Sequence, residues 1–390
     1  MPLVNRIANF HAEMTEWRHA MHAHPETAFE EVWTSDFVAN KVSEFGYTVH
    51  RGLAGTGVVG TIKGNKPDTG RAIGLRADMD ALNLVEVNTF AHRSQIEGKM
   101  HGCGHDGHMT MLLGAAKYLA ETRNFAGTVH LIFQPAEEGA GGGRRMVEEG
   151  LFEKFPVEAV YGMHNMPGIS VGSFGTRTGS ILSAMDLFEI RINGVGTHAA
   201  TPELGVDPIL VTAHVVVALQ GIVSREIDPV EGAVVTITEI KAGTGALNTI
   251  PTQAVMRGTA RILSPTVRDT IEARLRRVVG GVAAAYRANA EIDYRQNYPP
   301  TITDAVHTQT AVRVAEEIVG TGKVNANYKP NMASEDFSFM LQRKPGAYIF
   351  IGNGPEEGTN LLHNPGYDFN DDILPLGSSY WSRLVETVLT

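Results

Sequence analysis

Four short apolar runs in the first half of the chain end in polar residues and are followed by glycine, proline or a helical stretch. They are "GVVGTIKG" at 57–64, "RAIGLRAD" at 71–78, "GTVHLIFQPAEEG" at 127–139 and "EAVYGMHNMPG" at 158–168. Between the second and third runs, the apolar spacing of residues 109–123 predicts a helix. Strands that alternate with helices predict an α/β fold with an open sheet, in which ligands bind beyond the carboxyl ends of the strands. We therefore expect Asp78, Glu137, Glu138 and His164 to lie at one edge of this sheet.

Residues 183–297 have a different pattern. Runs that alternate apolar and polar residues predict strands at 184–194, 233–243, 253–263 and 290–298. One helix is expected from Asp207, the N-cap, and a second from Ser264 to about Asn289. The order strand, helix, strand, strand, helix, strand predicts a ferredoxin-like α+β domain. We thus expect one domain at 1–182 and 298–390, with a second domain inserted at 183–297.

Length and charge limit the classes of partner. A chain of 390 residues exceeds the size at which single cores stop growing, which favours two domains. Its net charge of -10 gives no electrostatic reason to expect nucleic acid or an anionic membrane as partner. The locally basic stretch from Arg268 to Arg287 suits the solvated face of a long helix. We expect neither kind of partner.

Features of a secreted or membrane protein are also missing from the sequence. The first residues, "MPLVNRIANFHAEMTEW", lack the apolar segment of a signal peptide. The longest apolar run, from Pro208, is interrupted by His214 and Gln220 and is too short to span a membrane. A single cysteine cannot form an internal disulfide, which fits a reducing compartment. The expected location is the cytoplasm.

That cysteine lies in "KMHGCGHDGHM" at 99–109, among three histidines and an aspartate. Histidine, thiolate and carboxylate are the ligands of zinc and similar metals, and two neighbouring ions need about five of them. Each candidate alone is more often a surface or packing residue, but together at strand ends and loops they indicate a metal site. The candidate ligands are Cys103, His105, Glu138, His164 and His363. We place His101 and His108 outside this set.

Other chemistry for the cysteine remains open at this point. A nucleophilic Cys103 with His105 as its base would leave the paired glutamates and two distant histidines without a role. A redox role needs a second thiol, which the chain lacks. Neighbouring side chains of an extended segment point to opposite sides, so Glu138 can bind metal while Glu137 faces the substrate as general base. A solvated charged turn is the alternative for this pair.

Six segments closely resemble the metal-dependent N-acyl-amino-acid amidohydrolases, a family that includes bacterial hippurate hydrolases, aminoacylases and plant indoleacetyl-amino-acid hydrolases. They are "MHGCGHDGHMTMLLGAAKYLA", "QPAEEGAGGGRRMVEEGLF", "GMHNMP", "GTHAATPELGVDPI", "LNTIPTQAVMRGTAR" and "LHNPGYDFND". The likeness runs from "RHAMHAHPETAFEE" at 18–31 to the last helix. It implies a zinc-exopeptidase-like catalytic domain with a mostly parallel sheet. It also implies a homodimer, or a higher homo-oligomer, formed through the inserted lid domain.

The resemblance assigns roles to individual residues. It implies that the five candidate ligands bind two divalent ions per subunit, with zinc, manganese, nickel and cobalt all open, and that Glu137 is the general base. The histidine matching His198 would reach the partner's active site to stabilise the oxyanion. Asn248 and Arg261 would hold the substrate carboxylate, although without the family they are a turn cap and an exposed strand residue. Acidic residues that would orient the ligands are Asp78, Asp80 and Asp106.

The expected reaction is hydrolysis of an N-acyl amino acid, a small-molecule substrate, to a carboxylate and a free amino acid. A dipeptidase or carboxypeptidase on the same scaffold is the main alternative, and a cysteine hydrolase or a non-catalytic binding protein fits less well. The chain departs from the family at Asn83, usually proline, at Gly102, often alanine, and at Glu203, often histidine. None of these is a proposed ligand, so the departures bear on substrate choice and loop stiffness. We expect Glu335 and Asp336 to cap the helix that follows them.

Overall fold

The structure, a computed structural model, describes residues 4–354 and 360–390 and divides the chain into two compact units. The first unit comprises Met1–Ile181, Ile302–Lys329 and Asp336–Thr390. The second comprises Leu182–Thr301 and Pro330–Glu335. Each unit has its own hydrophobic core.

Helices and strands are interspersed along the described chain. The α-helices are α1 (Asn5–Ala8), α2 (His11–Ala23), α3 (Val32–Glu44), α4 (His105–Thr122), α5 (Gly142–Glu148), α6 (Leu151–Lys154), α7 (Pro208–Gly221), α8 (Pro265–Ala285), α9 (Ala305–Val319), α10 (Ser338–Leu341) and α11 (Leu374–Val388). The strands are β1 (Thr48–Leu53), β2 (Gly57–Lys63), β3 (Ala72–Asp78), β4 (Thr128–Gln134), β5 (Ala159–Pro167), β6 (Phe174–Gly175), β7 (Gly179–Leu182), β8 (Ala184–Asn193), β9 (Thr197–His198), β10 (Ala233–Ala242), β11 (Thr249–Ile250), β12 (Gln253–Ile262), β13 (Asn289–Tyr298), β14 (Thr301–Thr303), β15 (Val324–Asn325) and β16 (Gly346–Gly354).

The first unit is built on a mixed sheet with strand order β1-β2-β4-β3-β5-β16-β6-β15. Its central strands β4, β3, β5 and β16 are parallel, and they are buried along almost their whole length. Parallel strands covered on both faces carry continuous apolar runs, which is the pattern the sequence shows. The predicted α/β fold with a mostly parallel sheet is confirmed. The carboxyl ends of these strands lie at one edge of the sheet, where the polar residues follow them.

Helix α4 lies at the centre of the first unit and is buried over its first three turns. It packs against α2, α11 and β3. Close approach of the helices requires glycine: a Cβ at Gly377 in α11 would lie 2.0 Å from Met111 Sδ, and one at Gly114 would lie 2.4 Å from Ser378 Oγ. Two small residues thus set the spacing between α4 and α11.

The second unit contains the antiparallel sheet β10-β12-β8-β13, on which α7 and α8 pack. The strands and helices follow the chain order of a ferredoxin-like domain, as predicted. Asp207 caps α7, since its carboxylate accepts hydrogen bonds from the backbone N–H groups of Ile209 and Leu210. Arg268 differs from the expectation of a solvated face: it is buried and pairs with Asp186. The basic stretch therefore includes a core ion pair.

One described segment, Pro208–Glu226, is long and apolar enough to cross a membrane by length and composition alone. One of its faces packs in the core of the second unit through Val211 and Leu219. The opposite face exposes Leu210 and Val217, the latter with 73% of its surface accessible. This helix is a core helix of the second unit that also carries an exposed apolar face. The expectation that it does not span a membrane stays a prediction.

Replacing Gly377 by alanine should destabilise the first unit, because the added Cβ would collide with Met111. We expect Gly377→Ala to lower the free energy of unfolding by about 1–3 kcal/mol, the usual cost of overpacking, in urea titrations followed by circular dichroism. Gly280→Ala in α8 is the matched control, since nothing lies within 4 Å of a Cβ there. The control should raise stability by about 0.5–1 kcal/mol. Equal effects of the two substitutions would contradict the close-packing explanation.

Candidate active site

A sharp turn places two candidate ligands side by side. Helix α4 begins at His105, four residues earlier than the apolar spacing predicts, and Cys103 lies just before it. Gly104 between them has φ +88°, a conformation that favours glycine. A Cβ at this position would lie 2.4 Å from Asn165 Oδ1 and 2.7 Å from Tyr367 Oη. Glycine is therefore needed both for the turn and for the close approach of its neighbours.

The five candidate ligands meet in the first unit, in two overlapping groups. Ligand atoms of Cys103, His105 and His164 lie within 4.8 Å of one another, and so do those of Cys103, Glu138 and His363. Cys103 Sγ is 3.5 Å from His164 Nε2, and Glu138 Oε1 is 3.2 Å from His363 Nε2. The backbone N–H of His363 donates to the Gly102 carbonyl at 2.8 Å, which ties the last ligand loop to the first. Cys103 is common to both groups.

The orientation of the histidines fits a metal ion. His105 Nδ1 contacts the Asp80 carbonyl at 2.8 Å, and His164 Nδ1 contacts the Asn165 carbonyl at 2.6 Å. These contacts leave Nε2 of each ring as the ligand atom. His105 Nε2 is buried and has no hydrogen-bond partner among the described residues, and its nearest carboxylate oxygens, on Asp78 and Glu138, are 3.8 and 4.0 Å away. A buried polar atom without a partner is costly, so this donor set fits a bound cation.

The charges around this cluster favour a cation as well. Burial lowers the pKa of His105, but Asp78, Asp80 and Glu138 outweigh this effect and raise the pKa to about 10. Burial, together with the nearby Glu138 and Glu137, raises the pKa of the Cys103 thiol well above its usual range. The carboxylates therefore create a negative potential that disfavours a thiolate. A divalent cation would reverse that effect and stabilise the thiolate as a ligand.

Asp80 holds the paired glutamates by their backbone. One of its carboxylate oxygens accepts from Glu137 N and the other from Glu138 N, both at 3.0 Å. Glu137 is 7% exposed, so it is not part of a solvated charged turn. Asp80 thus fixes the backbone of both glutamates, Glu137 and the candidate ligand Glu138.

Asp78 and His108 form a buried pair beneath the ligands. Asp78 contacts His108 Nδ1 at 2.6 Å and Arg76 Nη1 at 2.7 Å. Burial raises the pKa of Asp78, but the positive charges of His105, Arg76 and His108 lower it well below its usual range. Asp78, His105 and His108 also have ligand atoms within 4.8 Å of one another. His108, three residues after His105, is therefore a further functional candidate. On sequence grounds we place it outside the set of metal ligands.

Asp106 contacts two side chains of α2. Its carboxylate contacts His22 Nδ1 at 2.8 Å and Arg18 Nη1 at 3.4 Å, and all three side chains are fully buried. Glu86 lies 3.2 Å from the other nitrogen of His22. Because Asp106 directly follows His105, this network fixes the start of α4. Arg18 and His22 in "RHAMHAH" are the sequence features that indicate this network.

Asp336 does not cap the helix after it, so that prediction is wrong for this residue. Its carboxylate accepts hydrogen bonds from Arg76, from Gln134 and from the backbone N–H of Gly143 at the start of α5. The N-cap position of α10 is occupied by Phe337. Gln134 and Gly143 lie 202 and 193 residues from Asp336 in the sequence. Local spacing therefore gives no indication of these partners.

The remaining predicted residues lie in the second unit. His198 on β9 is exposed and pairs in register with Thr249 on β11, and Asn248 accepts a backbone hydrogen bond from Ala199 at 2.8 Å. These two candidates are therefore neighbours. Arg261 is separate from them on β12, is half-buried, and donates to Ser334 Oγ at 3.0 Å. Burial lowers the pKa of its guanidinium.

Comparison with known proteins finds extensive similarity. The sequence profile of peptidase family M20/M25/M40 matches residues 74–387. A hippurate hydrolase of Campylobacter jejuni is 42% identical over 98% of this chain and 98% of its own. Thermostable carboxypeptidase 2 of Saccharolobus solfataricus is 36% identical, with 97% of each chain covered. A dinuclear metal-binding peptidase of the M20 family from Bacillus subtilis has a TM-score of 0.85 and 33% identity, covering 98% of this chain and 99% of that one.

The buried His22 should make stability depend on pH. Burial lowers its pKa, but hydrogen bonds with Asp106 and Glu86 raise it from 6.5 to about 9. The charged form is favoured in the folded state, so its stabilisation is complete below pH 6.5 and is lost as the pH rises through 9. Wild type should exceed His22→Gln in free energy of unfolding, and this difference should shrink by about 3 kcal/mol over that range.

The measurement is a set of urea titrations of both chelator-treated chains from pH 6 to pH 10. His50→Gln on β1 is the control, since His50 is exposed and its replacement should change stability little. A difference between wild type and His22→Gln that stays constant over the whole range would rule out a stabilising charged His22.

Proposed function

The chain belongs to peptidase family M20/M25/M40, and from this premise we propose that it hydrolyses the amide bond of N-acyl amino acids. The products are a carboxylate and a free amino acid. The observation that carries the proposal is the placement of Glu137, a buried carboxylate, beside two groups of ligand atoms that share Cys103. The hippurate hydrolase at 42% identity supports the substrate class, since hippurate is an N-acyl amino acid.

We propose that the five candidate ligands bind two divalent ions per subunit. The ligand types suit zinc, manganese, nickel or cobalt, and the thiolate favours zinc or a late transition metal over magnesium. When bound, such ions supply Lewis acidity to the scissile carbonyl and make a water nucleophilic near neutral pH. Cys103 belongs to both ligand groups and would hold the ions together with the other four candidate ligands.

Glu137 is proposed as the group that moves the proton. Its carboxylate accepts a proton from the attacking water and then donates it to the leaving nitrogen, which departs as the free amine. Both steps need a side chain held in one place. The Glu137 backbone N–H donates to Asp80, and the Glu137 carboxylate accepts from the backbone N–H of Asp336 at 3.4 Å. The adjacent carboxylate, that of Glu138, is then available as a metal ligand.

The second unit is proposed to complete the site in a homodimer. The exposed His198 would stabilise the oxyanion in the partner subunit, and Asn248 and Arg261 would hold the substrate carboxylate through charge-assisted hydrogen bonds. The exposed apolar face of α7 supports an association between subunits, because Leu210 and Val217 lose contact with water when covered. The division of the chain into a catalytic and an inserted lid domain, and a cytoplasmic location, belong to the same proposal.

A carboxypeptidase or dipeptidase is the second candidate, favoured by the 36% identical carboxypeptidase. The chemistry at the scissile bond is the same, so the ligand groups and Glu137 do not separate the two. They differ in the substrate's other end, where a dipeptide carries a free α-amino group and an N-acyl amino acid does not. Activity on matched substrates distinguishes them.

We expect the purified enzyme to release amine from hippurate, N-acetyl or indoleacetyl amino acids at least about tenfold faster, by kcat/KM, than from the matching dipeptides, a difference of about 1.4 kcal/mol. Treatment with a chelator should abolish activity, because the proposed reaction needs the bound ions to make the water nucleophilic. Zinc, manganese, cobalt or nickel added back should restore it. A faster reaction with dipeptides would support the peptidase, and activity that survives chelation but not thiol alkylation would support a cysteine hydrolase.

A mixed dimer tests the shared site. The variants His198→Ala and Glu137→Gln should each be nearly inactive alone, since each lacks one required group. In a heterodimer, one of the two sites receives an intact Glu137 from one chain and an intact His198 from the other. Co-expressed and tag-purified heterodimers should recover roughly half of the wild-type kcat, as one of two sites is complete. No recovery in a verified heterodimer would exclude the transfer of His198 between subunits.

A further inference from the structure

The segment "RHAMHAHPETAFEE" contains three glutamates that the proposed function leaves without a role. The exposed Glu30 forms an ion pair with Lys99, and the other two bind backbone N–H groups. The first, Glu26, accepts hydrogen bonds from the backbone N–H groups of Trp33 and Thr34 and so caps α3. The second, Glu31, lies at the same end of α3, but its carboxylate points away from that helix. It is fully buried, which is rare for a glutamate unless its oxygens are paired.

The contacts of Glu31 lead to the turn that carries Glu137. Its Oε1 accepts from the backbone N–H of Ala136 at 2.9 Å and from that of Phe29 at 3.0 Å. Its Oε2 accepts from the Thr56 hydroxyl at 2.7 Å. Ala136 directly precedes Glu137, so Glu31 binds the backbone of this turn although it lies 105 residues from Ala136 in the sequence.

Ala136 needs such an anchor. It has φ +55°, in the left-handed region that is disfavoured for residues with a Cβ. On its other side, the Ala136 carbonyl accepts from Gly142 N at 2.9 Å. Three successive backbone N–H groups, those of Ala136, Glu137 and Glu138, are therefore held by carboxylates, the first by Glu31 and the next two by Asp80.

We propose that Glu31 is a positioning residue for the reaction: by binding the Ala136 N–H it holds this residue in its left-handed conformation and so aims the Glu137 carboxylate. This inference rests on the proposed role of Glu137 as general base. Glu31 itself touches neither substrate nor ligand atoms among its described hydrogen bonds.

The burial of Glu31 argues against a role in stability alone. Desolvation raises its pKa to about 7, so the site disfavours the ionised carboxyl. An apolar side chain would occupy such a position at lower cost if only packing mattered. The carboxyl group lies where it binds the backbone next to Glu137.

The experiment compares Glu31→Gln with Glu31→Leu in the metal-loaded enzyme, with kcat, KM, bound metal and melting temperature measured for each. Glutamine keeps the oxygen that accepts from Ala136, so Glu31→Gln should retain kcat within about threefold. Leucine removes it, and Glu31→Leu should lose kcat by about 10- to 100-fold with KM and metal content nearly unchanged, because small displacements of a catalytic group are costly. Equal losses in the two variants, or a loss that follows metal content, would overturn the proposal.

Two further variants separate positioning from stability. Thr56→Val is the matched control, because it removes the hydroxyl that donates to Glu31 Oε2 while leaving the Ala136 contact in place, so kcat should stay unchanged even if the melting temperature falls. Ala136→Gly added to Glu31→Leu should recover at least about tenfold in kcat, since glycine enters the left-handed region without an anchor. No recovery in this double variant would contradict the proposal. If Glu31→Leu does not fold, Glu31→Asp, too short to reach Ala136, takes its place with the same expected loss.

Glu137→Gln, measured in parallel, distinguishes failure of this proposal from failure of the proposed function. If Glu137→Gln keeps most of its activity with metal bound, the general-base role is wrong and the positioning role falls with it. If Glu137→Gln is inactive while Glu31→Leu retains full kcat, only the positioning role is wrong.

Discussion

Buried carboxylates that accept hydrogen bonds from the backbone are the interaction on which the candidate active site depends. Asp80 holds the N–H groups of Glu137 and Glu138, and Asp336 holds that of Gly143 at the start of α5. A buried carboxylate is costly unless its oxygens are paired, so each of them requires its partner to stay in place. These hydrogen bonds fix the backbone of the irregular segments that follow β4.

The architecture of the first unit explains why the ligands come from distant parts of the sequence. The carboxyl ends of β3, β4 and β5 lie at one edge, so Asp78, Glu138 and His164 converge although the chain separates them widely. The loop before α4 adds Cys103, and the first residue of that helix adds His105. Parallel strands with crossover helices build sites in this way, because each connection returns the chain to the same side of the sheet.

Much of this arrangement could be predicted from the sequence because its signals are local. Apolar runs marked the central strands, and polar residues at their ends marked the edge where the ligands meet. The start of α4 was harder: the apolar spacing begins at Met109, but the helix begins at His105, because a buried network of Asp106, Arg18 and His22 stabilises a first turn made of polar residues. Periodicity is uninformative where polar residues are buried.

The sequence by itself determined the fold class, the order of the elements and the identity of the candidate ligands, since residue type and spacing carry that information. Only the tertiary structure decided which groups each buried carboxylate binds. Asp336 pairs with Arg76 and Gln134 in place of capping α10, and Glu31 reaches Ala136. The physical reason is that a buried polar group takes its partner from whatever the packing brings near, and packing joins segments that lie far apart along the chain.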